Sequence, residues 1–171
     1  MTAERKTILD EAIDAWEDAR NGVIAEAENI PADKFDFRPA PGARSVSELV
    51  LHIMEVSLMM AGELTREDTD LHRDPWPKLL ARYSGPIRGI TGKRQLVAAL
   101  RSTLRDGVKA FRAAGDLHML QWITRFDGEK GTRLAWFHHG IAQEMYHRGQ
   151  LALYQRIMGM TPALTKRIQG T

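Results

Sequence analysis

Six histidines stand at positions 52, 72, 118, 138, 139 and 147, and two of them, His52 and His147, fall where helical spacing turns side chains into a bundle. Residues four apart on a helix lie on nearly the same face, about 6 Å apart along the axis. Positions 143 and 147 therefore form a natural chelating pair, except that position 143 is glutamine. His139 extends the stripe by another turn, but its Cα falls roughly 12 Å from that of His147, too far for one ion to bind both. Its expected role is to orient a ligand or line a pocket mouth, while His138 points about 100° away around the helix.

Each of these residues also has a plainer reading. His52, taken alone on an apolar face, reads as a satisfied core histidine, and Gln143 as an interior amide bonded to His52, His147 or a water. The run Gln143-Glu144-x-x-His147 imitates the His-Glu-x-x-His zinc pattern with its first histidine lost, which would cast Glu144 as a general base. Glu144 and Arg148 stand four apart as an acidic-to-basic pair, so a surface ion pair is the expected role of Glu144. Gly149 costs roughly 1 kcal/mol in a helix interior, so close approach of a neighbouring helix is expected there. Gln150 either bonds behind the site or faces solvent. Trp136, Tyr146 and Tyr154 could border a pocket and Met54, Met59 and Met60 could supply deformable walls, with core packing the default for most.

The elements that must position these residues are helical, because the apolar residues recur at three- and four-residue steps and not in strict alternation. A first helix is expected from about Ala3 to Ile30, ended by Pro31. A second begins at the capping-box sequence Ser45-Val46-Ser47-Glu48 and fades near Thr69. From Asp70 to about Gly92 the prolines and glycines exclude a long regular helix, leaving a connection over one end. A third helix is expected from Lys93 to Ala114 with Gly115 at its C′ position, and a hairpin or loop over Leu117–Leu134 around Asp127-Gly128-Glu129-Lys130-Gly131. A fourth helix spans about Thr132 to Met158. Four helices with long connections between the second and third and between the third and fourth indicate an all-α four-helix bundle.

The chain has 171 residues, 43% hydrophobic and 27% charged, which suits one domain over 1–171 with a core that needs no metal or disulfide staple. Cysteine is absent, which excludes disulfides, thiolate metal sites and cysteine nucleophiles. With 24 Lys+Arg against 22 Asp+Glu, the charge gives nucleic-acid binding no support. The opening MTAERKTILD has no apolar core and no run of 18 apolar residues occurs, so a cytoplasmic protein without a membrane partner is expected. Phosphate-loop, dinucleotide and Gly-x-Ser-x-Gly motifs are absent.

The segment Gln143-Glu144-Met145-Tyr146-His147-Arg148-Gly149-Gln150-Leu151 resembles the ending of the DinB/YfiT-like superfamily, which typically reads His-x-x-x-His-Arg-Gly-Gln. Upstream, Phe37-Arg38-Pro39-Ala40-Pro41-Gly42-Ala43-Arg44-Ser45, followed by Glu48-Leu49-Val50-Leu51-His52, resembles that family's loop and second-helix start. The resemblance implies a four-helix bundle, often a homodimer, with a divalent metal held by one histidine of the second helix and two of the last. Carried over residue by residue, the metal ligands are His52 and His147, with Gln143 in place of the remaining histidine. An amide oxygen is harder than imidazole nitrogen, so zinc or nickel affinity should fall though coordination stays possible; the expected divalent metal is zinc or nickel first, with iron and manganese also compatible.

The function implied is that of a metal-dependent enzyme in which Lewis-acid activation of a bound thiol or water drives S-transfer or hydrolysis of a small molecule. With no cysteine in the chain, a low-molecular-weight thiol would have to come from a cosubstrate. The rival expectation is a bundle with a degenerate metal site, serving as a small-molecule-binding or stress-associated interaction protein.

Overall fold

The structure, a computed structural model, describes residues 6–170. Helix α1 (Ile8–Asn29) starts at Thr7, whose hydroxyl accepts the Asp10 N–H while the Asp10 carboxylate accepts the Thr7 N–H. The expected start at Ala3 lies outside the described residues. Ile8 is exposed, and the buried stripe begins at Leu9 and runs through Ala12, Ile13, Trp16, Ala19 and Val23.

Helix α2 (Val46–Leu64) begins at the predicted capping box, with Ser45 and Glu48 bonded reciprocally. It stops well short of Thr69 because its C-terminal carbonyl is satisfied from elsewhere: Leu64 O is met by His118 Nε2 at 2.9 Å and accepts from Arg133 Nη1 at 3.2 Å. The connection that follows carries a short helix, α3 (Trp76–Tyr83), and a single 3-10 turn at Gly85–Ile87. Helix α4 (Lys93–Ala114) ends at Gly115, whose φ of 78° few other residues adopt. After the one-turn α5 (Asp116–Met119) comes the hairpin β1 (Trp122–Thr124) and β2 (Lys130–Thr132), paired antiparallel. Helix α6 (Arg133–Ile157) is capped by Thr132. A further helix, α7 (Ala163–Gln169), lies beyond the four expected, and its first amides, Ala163 and Leu164, donate to the buried carboxylate of Glu26 on α1.

Helices α1, α2, α4 and α6 form the bundle, with α1 packed on α4 and α6 and α2 packed on the same two. The apolar core falls into two clusters, one around Trp16, Phe111 and Phe137, the other around Val23, Ile53, Leu100 and Leu151. Between them lies a buried polar layer. Arg20, fully buried, bonds Glu144, Ser57, Thr103 and the Leu100 carbonyl. Glu144 is thus not the surface partner of Arg148: it is 1% exposed and paired with Arg20 at 2.6 Å. Arg148 instead lies across Gly22 of α1, where an added Cβ would overlap its guanidinium.

The two long connections meet at one end of the bundle. Asp70 pairs with Thr124 in a parallel bridge, with Leu71 N–H donating to Thr124 O and Thr124 N–H to Thr69 O, each at 2.8 Å. No helix among the described residues is long and apolar enough to cross a membrane.

Candidate metal centre

His52 sits two turns into α2, and His147 sits on α6, the helix packed against it. Their ring centroids are 5.1 Å apart with the planes at 81°. His147 Nδ1 donates to Gln150 Oε1 at 2.7 Å, since an amide oxygen only accepts, and this leaves Nε2 as the lone-pair nitrogen. Gln150, undecided between two roles in the sequence, therefore orients His147. Burial pushes the His52 imidazole down to about 4, helped by the nearby charges of Arg44 and His147. Burial also lowers His147, although the bond to Gln150 opposes it. Both rings are neutral at neutral pH, with lone pairs free for a cation.

Gln143 precedes His147 by one turn of α6. Its Oε1 and Nε2 are both shut off from solvent and bond to nothing among the described residues. A buried amide without partners is rare enough in native structures to require a cause. No three His, Cys, Asp or Glu side chains gather as a metal cluster among the described residues. Two neutral imidazoles and an amide oxygen suit a divalent ion of borderline character and leave positions open for small molecules.

His52 and Gln143 open onto a cavity of about 300 Å³. Its far wall is aromatic: Trp76 from α3, Phe126 from the hairpin and Trp136 from α6, with Met60 and Gly140 at its base. The Trp76–Phe126 centroids are 4.6 Å apart and those of Phe126 and Trp136 5.2 Å apart. His139 lies in this wall, its ring 4.8 Å from that of Trp136, and both His138 and His139 are exposed. Tyr146 is 67% exposed and rests edge-on against His147, outside the cavity. Tyr154 is core, its hydroxyl donating to Arg44 O at 3.1 Å. A larger hollow, about 480 Å³, lies between α2 and α3 with Leu51 and Glu55 and has no histidine.

Glu144 is no general base here, because both its oxygens accept from Arg20 and Trp16 in the core. Gly149 has open space where a Cβ would be, so no helix approaches it. Trp76 and Phe126 are wall residues that helical spacing does not announce; their one signal in the sequence is large aromatic residues within polar, proline- and glycine-rich connections.

The DinB family model matches residues 3–169. Among solved structures, the chain is similar to a DinB-like protein, YjoA, of Bacillus subtilis, at 21% identity and a TM-score of 0.67, covering 88% of this chain and 93% of that one. It is similar to YfiT of the same organism, described as a probable metal-dependent hydrolase with an unusual four-helix bundle topology, at 15% identity and a TM-score of 0.71, covering 94% and 93%. It is also similar to a mycothiol-dependent maleylpyruvate isomerase, at 11% identity and a TM-score of 0.66, covering 85% of this chain and 61% of that one. Comparison with curated proteins gave no significant match.

Proposed function

Because the chain belongs to the DinB family, we propose that it is a metal-dependent enzyme acting on a small molecule, with His52, Gln143 and His147 as the metal-binding residues. The observation that carries this reading is the Gln143 amide, buried and unbonded beside two neutral imidazoles. A divalent cation there, zinc or nickel before iron or manganese, would supply Lewis acidity, lowering the pKa of a coordinated water or thiol. The chain's own residues do the rest. Gln150 holds His147 in the tautomer whose Nε2 can ligate, His52 supplies the opposing lone pair, and the aromatic wall borders the cavity beside them.

The neighbours support water and a small thiol as the two candidate nucleophiles, one being described as a hydrolase and another as mycothiol-dependent. A thiol would come from a cosubstrate, since the chain has no cysteine. The test is elemental analysis of untagged protein, comparing wild type with His52→Ala and His147→Ala. Near-stoichiometric metal in wild type, lost in both variants, is expected. Gln143→His should tighten zinc by roughly tenfold or more, given that changes to outer-shell partners alone shift affinity 10–100-fold. A wild type that takes up no zinc, nickel or manganese would overturn the reading and favour a binding protein with a degenerate site, to which the glutamine at 143 also points.

A further inference from the structure

The hollow of about 480 Å³ lies outside the histidine centre and is built from three pieces of chain. Leu51 and Glu55 come from α2, Pro77 and Leu80 from α3, and Ile87 to Ile90 from the turn that follows. Its apolar wall is anchored in the core. Leu80 packs on the cluster around Trp16, Ile87 belongs to the cluster around Val23, and Leu51 and Ile90 pack against that second cluster. The turn is held by Ile87 N–H on Ser84 O at 3.1 Å and by Arg88 N–H on Gly85 O at 3.2 Å. Gly89, with φ of 76°, then bends the chain so that Arg88 and Ile90 both border the hollow.

Two charged side chains line this wall, one of each sign, Glu55 and Arg88. Neither side chain makes a hydrogen bond among the described residues, and they form no ion pair with each other. Glu55 comes no closer than 3.9 Å to His52 Nδ1, too far for a hydrogen bond. The charges around them are answered: Asp74 takes Lys78 and Arg82, and Glu63 takes Arg73. One unpaired surface charge is ordinary. Two of opposite sign, facing one anchored apolar hollow without meeting, form the complement of a molecule that carries both charges on an apolar body. A neutral ligand would cover both without answering either. A cation would leave Arg88 unanswered, and an anion would leave Glu55. The volume falls within the range of small-molecule sites.

We propose that this hollow binds a small zwitterion with an apolar body, an apolar amino acid or dipeptide, its ammonium on Glu55, its carboxylate on the Arg88 guanidinium and its side chain against Leu51 and Leu80. Both polar contacts are charge-assisted hydrogen bonds, and the guanidinium fork accommodates a carboxylate through two of them. Neither the proposed metal nor the aromatic cavity takes part, so this site stands or falls apart from the function proposed above.

The test is an amide NMR titration of the full-length chain, EDTA-treated and dialysed, at about pH 6.5, where an α-amino group is protonated. The probes are L-leucine, L-leucyl-L-leucine, N-acetyl-leucyl-leucine, which lacks the ammonium, and leucyl-leucinamide, which lacks the carboxylate. At least one zwitterion should bind with a Kd of about 1 mM or tighter, shifting amides at 51–55 and 80–90. Capping either end of the dipeptide should weaken it about fivefold, the upper end for an ion pair open to solvent. Where leucine is the zwitterion that binds, N-acetyl-leucine and leucinamide serve as its capped forms. Glu55→Gln should bring the zwitterion and the N-acetyl form within about twofold of each other, and Arg88→Gln should do the same for the zwitterion and the amide form. Binding of leucine alone assigns the site to free amino acids, binding of the dipeptide alone assigns it to short peptides, and either upholds the proposal. His147→Ala should leave binding unchanged within about twofold, because the ligand does not chelate a metal there. No binding of either zwitterion, capped forms that bind wild type equally well, a preference that survives both substitutions, or binding lost in His147→Ala overturns it. Should a variant fail to fold, the comparison of capped and uncapped probes on wild type decides.

Discussion

Glu144 accepts three hydrogen bonds in the bundle centre, from Trp16 Nε1 at 2.6 Å and from Arg20 Nε and Nη2 at 2.7 and 2.6 Å. The other Arg20 donors go to Ser57, Thr103 and the Leu100 carbonyl, so every N–H of this buried guanidinium is used. Desolvating such a pair costs most of what its attraction returns, and the large effect appears only when one partner is removed. Glu144→Gln should therefore destabilise the protein by about 3–5 kcal/mol in urea unfolding, while the double change Arg20→Met, Glu144→Leu should recover most of that loss. If Glu144→Gln costs less than about 1 kcal/mol, Glu144 is not the buried partner of Arg20. Gln143, one residue away, makes none of these bonds. The i,i+4 pair of Glu144 with Arg148 is visible in one dimension and points outward, whereas a partner 124 residues away is not visible there.

Where a helix's behaviour is set by neighbours in sequence, the elements were legible. The Ser45–Glu48 box fixes the start of α2, and Gly115 ends α4 where it was placed. Where ends are set by distant groups, they were not: Leu64 O meets His118 and Arg133, and α7 starts on Glu26 of α1. The glycines carry the same lesson. Gly149 was expected to admit a neighbouring helix, but open space surrounds it. The close approach is instead at Gly107 of α4, where a Cβ would overlap the Trp16 ring. Trp16 cannot yield, because it stands edge-on to Phe111 and Phe137 and is bonded to Glu144. Gly149→Ala should raise stability by up to about 1 kcal/mol, the helix preference for alanine over glycine. Gly107→Ala should lower it by about 1–3 kcal/mol despite the same preference. Paired urea melts giving both variants the same sign would contradict this packing.

At the scale of the whole molecule, the site has a floor and a rim of different origin. The floor, His52 and Gln143 with His147 beside them, stands on two packed helices, α2 and α6. The rim, Trp76 and Phe126, comes from two connections that only the folded chain brings together, through the bridge at Asp70 and Thr124. One buried carboxylate ties the first connection down: Glu63, at the end of α2, accepts from Arg73 at 2.5 and 2.7 Å and from the Tyr83 hydroxyl at 2.6 Å. Tyr83 is seated against Gly62, where a Cβ would overlap its ring. These contacts span the residues around Trp76 but do not reach α1 or α4, so the rim should open as a unit of its own. Glu63→Leu should raise amide exchange across residues 66–83 by about tenfold or more while amides in α1 and α4 keep their protection. The metal uptake proposed for His52 and His147 should be unchanged, because they do not depend on the connection for their placement. If exchange instead rises equally throughout the chain, the rim is not a separate cooperative unit and the aromatic wall is as permanent as the bundle that carries it.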